Sequence, residues 1–311
     1  MEKKTVIITG GNGGLGYECA RNIAQSDPDY HVVLACRSLA RADAAAATLK
    51  NDTGNPNITT MQLDLASLAS VRAFVDEFSR ADLPPLFSIV CNAGISAGGV
   101  PGSPTTEDGI EMIFGVNHLG HFLLANLLIG RMQADGRIVF VTSDLHNPPR
   151  FFPVKVDYDS AEAISHRGAG IAQYCVSKLC NLYCTYEMVS LIASQTDREI
   201  TVNAFNPGAM SDTGFSKPAG NVVVRAAVGA IGGIMGALIG KRSTSTQSGA
   251  SLATLVTDPK LGATTGRYFD RGELADSSPL SHDRENAREL WVASMKLSGL
   301  HPSETILGSP A

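Results

Sequence analysis

Tyr174-Cys175-Val176-Ser177-Lys178 places a phenol and an ammonium four residues apart, a spacing that puts both on one face of a helix. A cation beside a phenol favours the phenolate, so the pair is expected to draw the Tyr174 pKa down from about 10 and make it a general acid or base. Ser143 closes the apolar run Val141-Thr142-Ser143, where its hydroxyl can hydrogen-bond a substrate oxygen from the other side. Asn117, in Asn117-His118-Leu119-Gly120, is a further polar group inside an otherwise apolar helix.

A second constellation suits an anion. Thr9-Gly10-Gly11-Asn12-Gly13-Gly14-Leu15-Gly16 stands directly between an apolar run and a helical stretch. Glycines there permit a tight turn and close approach of backbone to a pyrophosphate, while the helix start offers free N–H groups. The next run ends Leu34-Ala35-Cys36-Arg37-Ser38. Many dinucleotide sites carry a carboxylate at that point for the adenosine ribose. Here Arg37 and Ser38 replace it with a guanidinium and a hydroxyl, suited to a 2′-phosphate, so NADPH/NADP+ is expected over the unphosphorylated cofactor. Asp64-Leu65 ends the third run, where the carboxylate and the following amide can reach the adenine edge; Asp64 can equally serve the start of the next helix.

These groups need a frame, and the chain supplies one. Continuous apolar runs at Lys4–Thr9, His31–Cys36, Ile58–Leu63, Leu86–Cys91, Arg137–Thr142, Ile200–Phe205 and Gly266–Phe269 read as strands covered by helices on both faces. Helical stretches fall between them at 14–26, 38–50, 67–81, 107–134, 170–195, 246–257 and 284–298. The reading is α/β, a doubly wound parallel sheet of about seven strands, with the whole chain, 1–311, one catalytic and nucleotide-binding domain. Two stretches break the alternation: 144–169, a loop with the apolar tip Phe151–Phe152, and 211–245, whose Val222–Gly240 run is rich in Gly, Ala, Ile and Val. The second reads as an apolar lid over a pocket, since Arg225 and Lys241 leave its uncharged part short of the roughly 20 residues a membrane helix needs. No transmembrane segment is expected.

With 25 Lys and Arg against 30 Asp and Glu the net charge is −5, which offers no basic footprint for nucleic acid. The six cysteines lie in apolar segments without a CxxC pair, as buried thiols of a reducing compartment do, so the expected location is cytoplasmic. His118 and His121 are three apart on a helix but have no third ligand at a useful distance, so core packing is expected and metal is not.

Taken together, Thr9-Gly10 through Gly14-Leu15-Gly16, Asn92-Ala93-Gly94, Asn117, Ser143, Tyr174, Lys178 and Asn206-Pro207-Gly208 with Thr213 resemble the short-chain dehydrogenase/reductase superfamily. That resemblance implies a single-domain Rossmann fold and an NADP(H)-dependent oxidoreductase interconverting a carbonyl and an alcohol. Tyr174 would be its general acid or base, and Lys178 would lower the Tyr174 pKa and hold the nicotinamide ribose. Ser143 would orient the substrate oxygen, and Asn117 would hold a water in a proton relay to Lys178. Pro207, Gly208 and Thr213 would flank the carboxamide; Asn92, Ala93 and Gly94 would line the adenosine ribose. Asn117-His118-Leu119-Gly120-His121-Phe122 and Gly266-Arg267-Tyr268-Phe269 resemble the retinol dehydrogenase-like branch. Leu34-Ala35-Cys36-Arg37 and Ser177-Lys178-Leu179-Cys180-Asn181 resemble light-dependent protochlorophyllide reductase, although Ala209 stands where that enzyme has a cysteine. The expected partner is a hydrophobic carbonyl or alcohol, walled by the Phe151–Phe152 loop and the lid. The alternatives are light-dependent reduction of a tetrapyrrole and a non-catalytic NADP(H)-sensing protein. The superfamily builds homodimers or homotetramers on the helices at 107–134 and 170–195.

Overall fold

Successive residues of a strand point to opposite faces of its sheet, so a strand covered on both sides is apolar throughout. Val6 and Ile8 accordingly join one core and Ile7 the other; Val32 and Leu34 divide from Val33 in the same way. The computed structural model describes residues 3–96, 104–168, 170–210, 212 and 242–310. Its strands are β1 (Lys4–Thr9), β2 (Tyr30–Cys36), β3 (Ile58–Gln62), β4 (Leu86–Cys91), β5 (Met132–Val141), β6 (Thr201–Asn206), β7 (Ala209–Met210), β8 (Arg242–Ser243), β9 (Tyr268–Asp270) and β10 (Glu273–Ala275). β7 and β8 pair with each other, and the other eight form one sheet in the order β10-β9-β6-β5-β4-β1-β2-β3. All of its pairings are parallel except the terminal β9–β10 hairpin.

The helices are α1 (Gly14–Ser26), α2 (Leu39–Thr53), α3 (Leu68–Arg80), α4 (Met112–Ile129), α5 (Ala161–His166), α6 (Ile171–Gln195), α7 (Ser245–Thr257) and α8 (Arg284–Leu297). α3 shows why they form: Val71, Phe74, Val75 and Phe78 make one buried stripe, and the Ser67 hydroxyl caps the first turn by accepting the Ser70 N–H at 3.3 Å. Cys19 and Ile23 of α1, Leu49 of α2 and Val256 of α7 cover one face of the sheet. Phe74 of α3, Phe122 of α4, Met188 of α6 and Trp291 of α8 cover the other. The six cysteines are free and buried.

The structure corrects one of these elements and refines the reading in two further respects. The stretch 107–134 is not one continuous α-helix. Gly109, at φ 78°, turns the chain, and Glu111 caps the helix that starts at Met112 by accepting the Phe114 N–H at 2.8 Å. Gly115–Leu119 inside α4 is a π turn, and Met132 already pairs with Leu86 as the start of β5. The sheet has eight strands, because the turn at Arg271-Gly272, with φ of 56° and 102°, folds Glu273–Ala275 back on β9. Finally, α4 is long and apolar enough to cross a bilayer, a feature the charge count along 222–240 did not address; 83% of it is buried inside the protein.

Part of the 144–169 loop is ordered structure too: a 3-10 turn at Asp144–His146 and α5. At its tip Phe152 packs on the core around α6, whereas Phe151 is 65% exposed. The 221–240 lid and Thr213 lie outside the described residues.

Candidate active site

In this strand order the chain runs outward from β1 to β3, then returns to β4 on the other side of β1. Such a switch point opens a crevice at the carboxyl ends of the two central strands. Thr9-Gly10, Asn92-Ala93-Gly94, Ser143 and Pro207-Gly208 are the residues that leave β1, β4, β5 and β6 there.

β5 and α6 are stitched together at this edge. The Thr142 hydroxyl donates to the Lys178 carbonyl at 2.7 Å, and Asn181 Nδ2 donates to the Val141 carbonyl at 3.2 Å. Lys178 Nζ donates to that same carbonyl at 3.0 Å and lies 5.7 Å from the Tyr174 ring centroid. Tyr174 hydrogen-bonds Ser143, whose Oγ accepts the Leu145 N–H at 3.2 Å. Burial dominates both titrations: it raises the Tyr174 phenol, against the pull of the Ser143 hydrogen bond, and depresses Lys178 to about 8. Spacing alone suggested a phenol lowered by its neighbour. In this site burial instead holds the phenol above its ordinary value, while the Lys178 ammonium is turned to a backbone carbonyl.

Asn117 sits in the π turn of α4. Its Oδ1 accepts the Ile95 N–H at 2.8 Å, and its Nδ2 donates to the Ile95 carbonyl and to Ser177 Oγ, both at 3.0 Å. The side chain therefore joins α4, α6 and the β4 exit. Gly94 is the contact point: a Cβ there would lie 3.1 Å from Asn117 Oδ1 and 3.6 Å from Lys178 Nζ.

The glycine loop packs on this assembly from the β1 side. A Cβ on Gly16 would stand 2.6 Å from the Gly10 carbonyl and 2.5 Å from Asn92 Nδ2, so only glycine lets α1 start this close to the strand exits. Asn92 ties the loop down, donating Nδ2 to the Thr9 carbonyl at 2.7 Å. No side chain caps α1 at Gly13, so its first-turn amides are left to water or a ligand. Asn12 and Gly14 are half-buried on the loop, and Leu15 is buried in the core beneath it. Arg37, exposed, and Ser38, half-buried, follow β2 at the same edge. Asp64 Oδ1 accepts the Ala66 N–H at 3.0 Å, a local turn before α3, and the Leu65 side chain is buried.

At the far side Gly208, at φ 75°, donates its N–H to Asn206 Oδ1 at 3.1 Å, and Ser248 Oγ donates to the Pro207 carbonyl at 2.6 Å. Asn206 Nδ2 in turn donates to Asp270 Oδ1 at 2.9 Å. His146 was missed in the sequence: its Nδ1 meets the Ser143 carbonyl at 2.6 Å and its Nε2 accepts the Ser278 N–H at 3.0 Å. A histidine three residues beyond the serine was the only available signal. His118 and His121 are buried in α4; His118 Nε2 pairs with Ser294 Oγ at 3.0 Å.

A doubly wound parallel sheet with a glycine-rich β1–α1 turn at the switch point and a Ser, Tyr and Lys set at the same carboxyl edge, beside β5, is the arrangement of a nicotinamide-dependent dehydrogenase or reductase. The short chain dehydrogenase family matches residues 4–154. Human retinol dehydrogenase 13 is 34% identical over 319 residues, covering 96% of this chain and 85% of that protein. Zebrafish polyprenol dehydrogenase is 34% identical, over 96% and 87% of the two chains. The chain belongs to the short-chain dehydrogenase/reductase family, in its retinol dehydrogenase-like branch. Among solved structures, a Shigella flexneri short-chain dehydrogenase complexed with NADP shares the fold at TM-score 0.61 and 18% identity, over 87% of this chain and 98% of that one. A blue fluorescent protein from a metagenomic library, solved with NADPH, does so at 0.63 and 23%, over 86% and 95%.

Proposed function

We propose that this protein is an NADP(H)-dependent reductase that interconverts a long apolar aldehyde or ketone with its alcohol, in the reducing interior of the cell. The observation that carries the reading is the hydrogen bond between Ser143 and Tyr174 beside a buried Lys178.

The residues present fit a dinucleotide: the uncapped α1 terminus and the backbone-tight Gly16 leave a cradle of amides where a pyrophosphate would rest. Gly10, Asn12, Gly14, Leu15 and Gly16 would hold that pyrophosphate. Arg37 and Ser38 would hold the 2′-phosphate, and Asp64 with the Leu65 amide would meet the adenine edge. Asn92, Ala93 and Gly94 would line the adenosine ribose, and Pro207, Gly208 and Thr213 the carboxamide. The bound cofactor supplies or accepts hydride; the protein supplies orientation and a proton.

Ser143 holds the substrate oxygen and Tyr174 donates the phenolic proton to it. The protonated resting form of Tyr174 suits the reducing direction. Lys178, at the foot of the phenol, would bind the nicotinamide ribose and favour the phenolate left after transfer. Asn117 would hold the water through which that proton is replaced. The substrate class draws support from two relatives named for isoprenoid alcohols, retinol and polyprenol, and from the exposed Phe151 beside the site loop.

NADPH oxidation followed with aldehydes and ketones of graded chain length tests this. Turnover that rises with apolar length in the dark supports it. A protein that binds NADPH and reduces none of them is a binding protein, and one that reduces only protochlorophyllide, in light, is a photoenzyme.

A further inference from the structure

His121 makes contacts that packing alone does not require. Its Nδ1 lies 3.2 Å from the Asn117 carbonyl and its Nε2 lies 2.8 Å from Thr9 Oγ1, with the ring fully buried in α4. A carbonyl oxygen only accepts, so Nδ1 must carry the proton. The Thr9 hydroxyl reaches the same answer from the other side. It already accepts the N–H groups of Asn92 and Ala93, each at 2.9 Å, which fills its two lone pairs. Its own hydrogen must go outward, to His121 Nε2 at 2.8 Å or to the more distant Val90 carbonyl at 3.4 Å. The opposite tautomer would aim an N–H at a saturated oxygen and a bare nitrogen at a carbonyl. One proton arrangement satisfies every group.

The wiring joins the two halves of the site. Thr9 fixes Asn92 and Ala93; Asn117 fixes Ile95 through both of its amide atoms. The β4 exit, residues 92–95, is thus clamped at each end, and His121 is the side chain that touches both clamps. We propose that His121 is a positioning residue: locked as its neutral Nδ1–H tautomer, it holds the Asn117 π turn in register with the cofactor cradle. It acts through Thr9 and Asn117, without contact to substrate. Burial, with the nearby Lys178 charge, pushes its pKa down to about 3, which keeps the ring neutral.

The inference rests on the proposed reductase only for its kinetic readout. Ring nitrogen NMR of the ligand-free protein reads the tautomer without mutation. The expected spectrum has Nδ1 protonated and Nε2 bare, unchanged as the pH falls through the ordinary histidine value of about 6.5. An Nε2–H tautomer, or a His121 ring that titrates near that value, overturns the proposal. His121→Phe leaves the Thr9 hydrogen only the more distant Val90 carbonyl at 3.4 Å and is expected to weaken NADPH binding and lower kcat by about tenfold each. His121→Gln, which keeps an acceptor toward Thr9, is expected to recover most of the NADPH affinity. Combined with Thr9→Val, the His121→Phe loss in NADPH affinity should largely disappear, whereas full additivity contradicts the link. Where His121→Phe does not fold, the wild-type ring spectrum decides. Wild-type protein that binds NADPH and reduces nothing defeats the reductase reading and leaves this inference to be judged on the spectrum and NADPH affinity.

Discussion

Lys178 follows Tyr174 by one helical turn, yet its ammonium donates to the Val141 carbonyl rather than to the phenol, standing 5.7 Å from the ring centroid. The ammonium is therefore held against the end of β5, 3.6 Å from where a Cβ on Gly94 would lie. Burial lowers its pKa to about 8.

A lysine with that value is charged below about pH 8 and neutral above it. NADPH affinity is therefore expected to fall as pH rises through this range. Lys178→Met should bind NADPH more weakly and without that break. Titration of NADPH fluorescence across the range measures both; an unchanged pH profile in the variant would show that another group sets it.

Arg37 makes no hydrogen bond or ion pair among the described residues and is exposed at the end of β2. Guanidinium hydrogen bonds to a 2′-phosphate predict that Arg37→Asp loses about 10- to 100-fold in NADPH affinity. NADH affinity should hold or improve. Parallel titrations with the two cofactors check it, and an unaltered ratio would remove Arg37 from the phosphate site.

Gly16→Ala drives a methyl to 2.6 Å from the Gly10 carbonyl. Backbone must shift, at a cost of about 1–3 kcal/mol in stability, and the loop that cradles the pyrophosphate shifts with it. Thermal unfolding and NADPH titration should both register the change. A variant as stable as the parent would mean that α1 can slide without cost.

Burial holds His118 neutral, with its pKa pushed down to about 4. The unfolded chain takes up that proton near 6.5 and the folded one does not. Its contribution is therefore complete above pH 6.5 and is lost as pH falls toward 4, by about 1.4 kcal/mol per pH unit. Urea unfolding between about pH 6.5 and 5 should be less pH-dependent in His118→Asn by that amount. Equal slopes would mean that the buried ring already carries a proton.

Much of this was legible from residue order. Lys4–Thr9 and Leu86–Cys91 are strands at the bounds that their apolar runs suggest, because a doubly covered strand leaves a continuous signal. The chain positions of Ser143, Tyr174 and Lys178 identified residues that the fold brings to one edge. What stayed hidden depends on tertiary pairing. The π turn at Gly115–Leu119 has no distinct pattern inside an apolar helix. The early start of β5 at Met132 is set by its partner Leu86. Lys178 turning to Val141, and burial outweighing the neighbouring cation at Tyr174, follow from side-chain direction and water exclusion, which spacing does not encode.

Tyr174 is the proposed proton donor. The direct measurement is single-turnover NADPH oxidation with a long-chain aldehyde by the parent and by Tyr174→Phe, each with its NADPH dissociation constant. A rate lower by about 10²–10⁴-fold is expected in Tyr174→Phe, with NADPH binding retained. A rate equal to the parent's would contradict it.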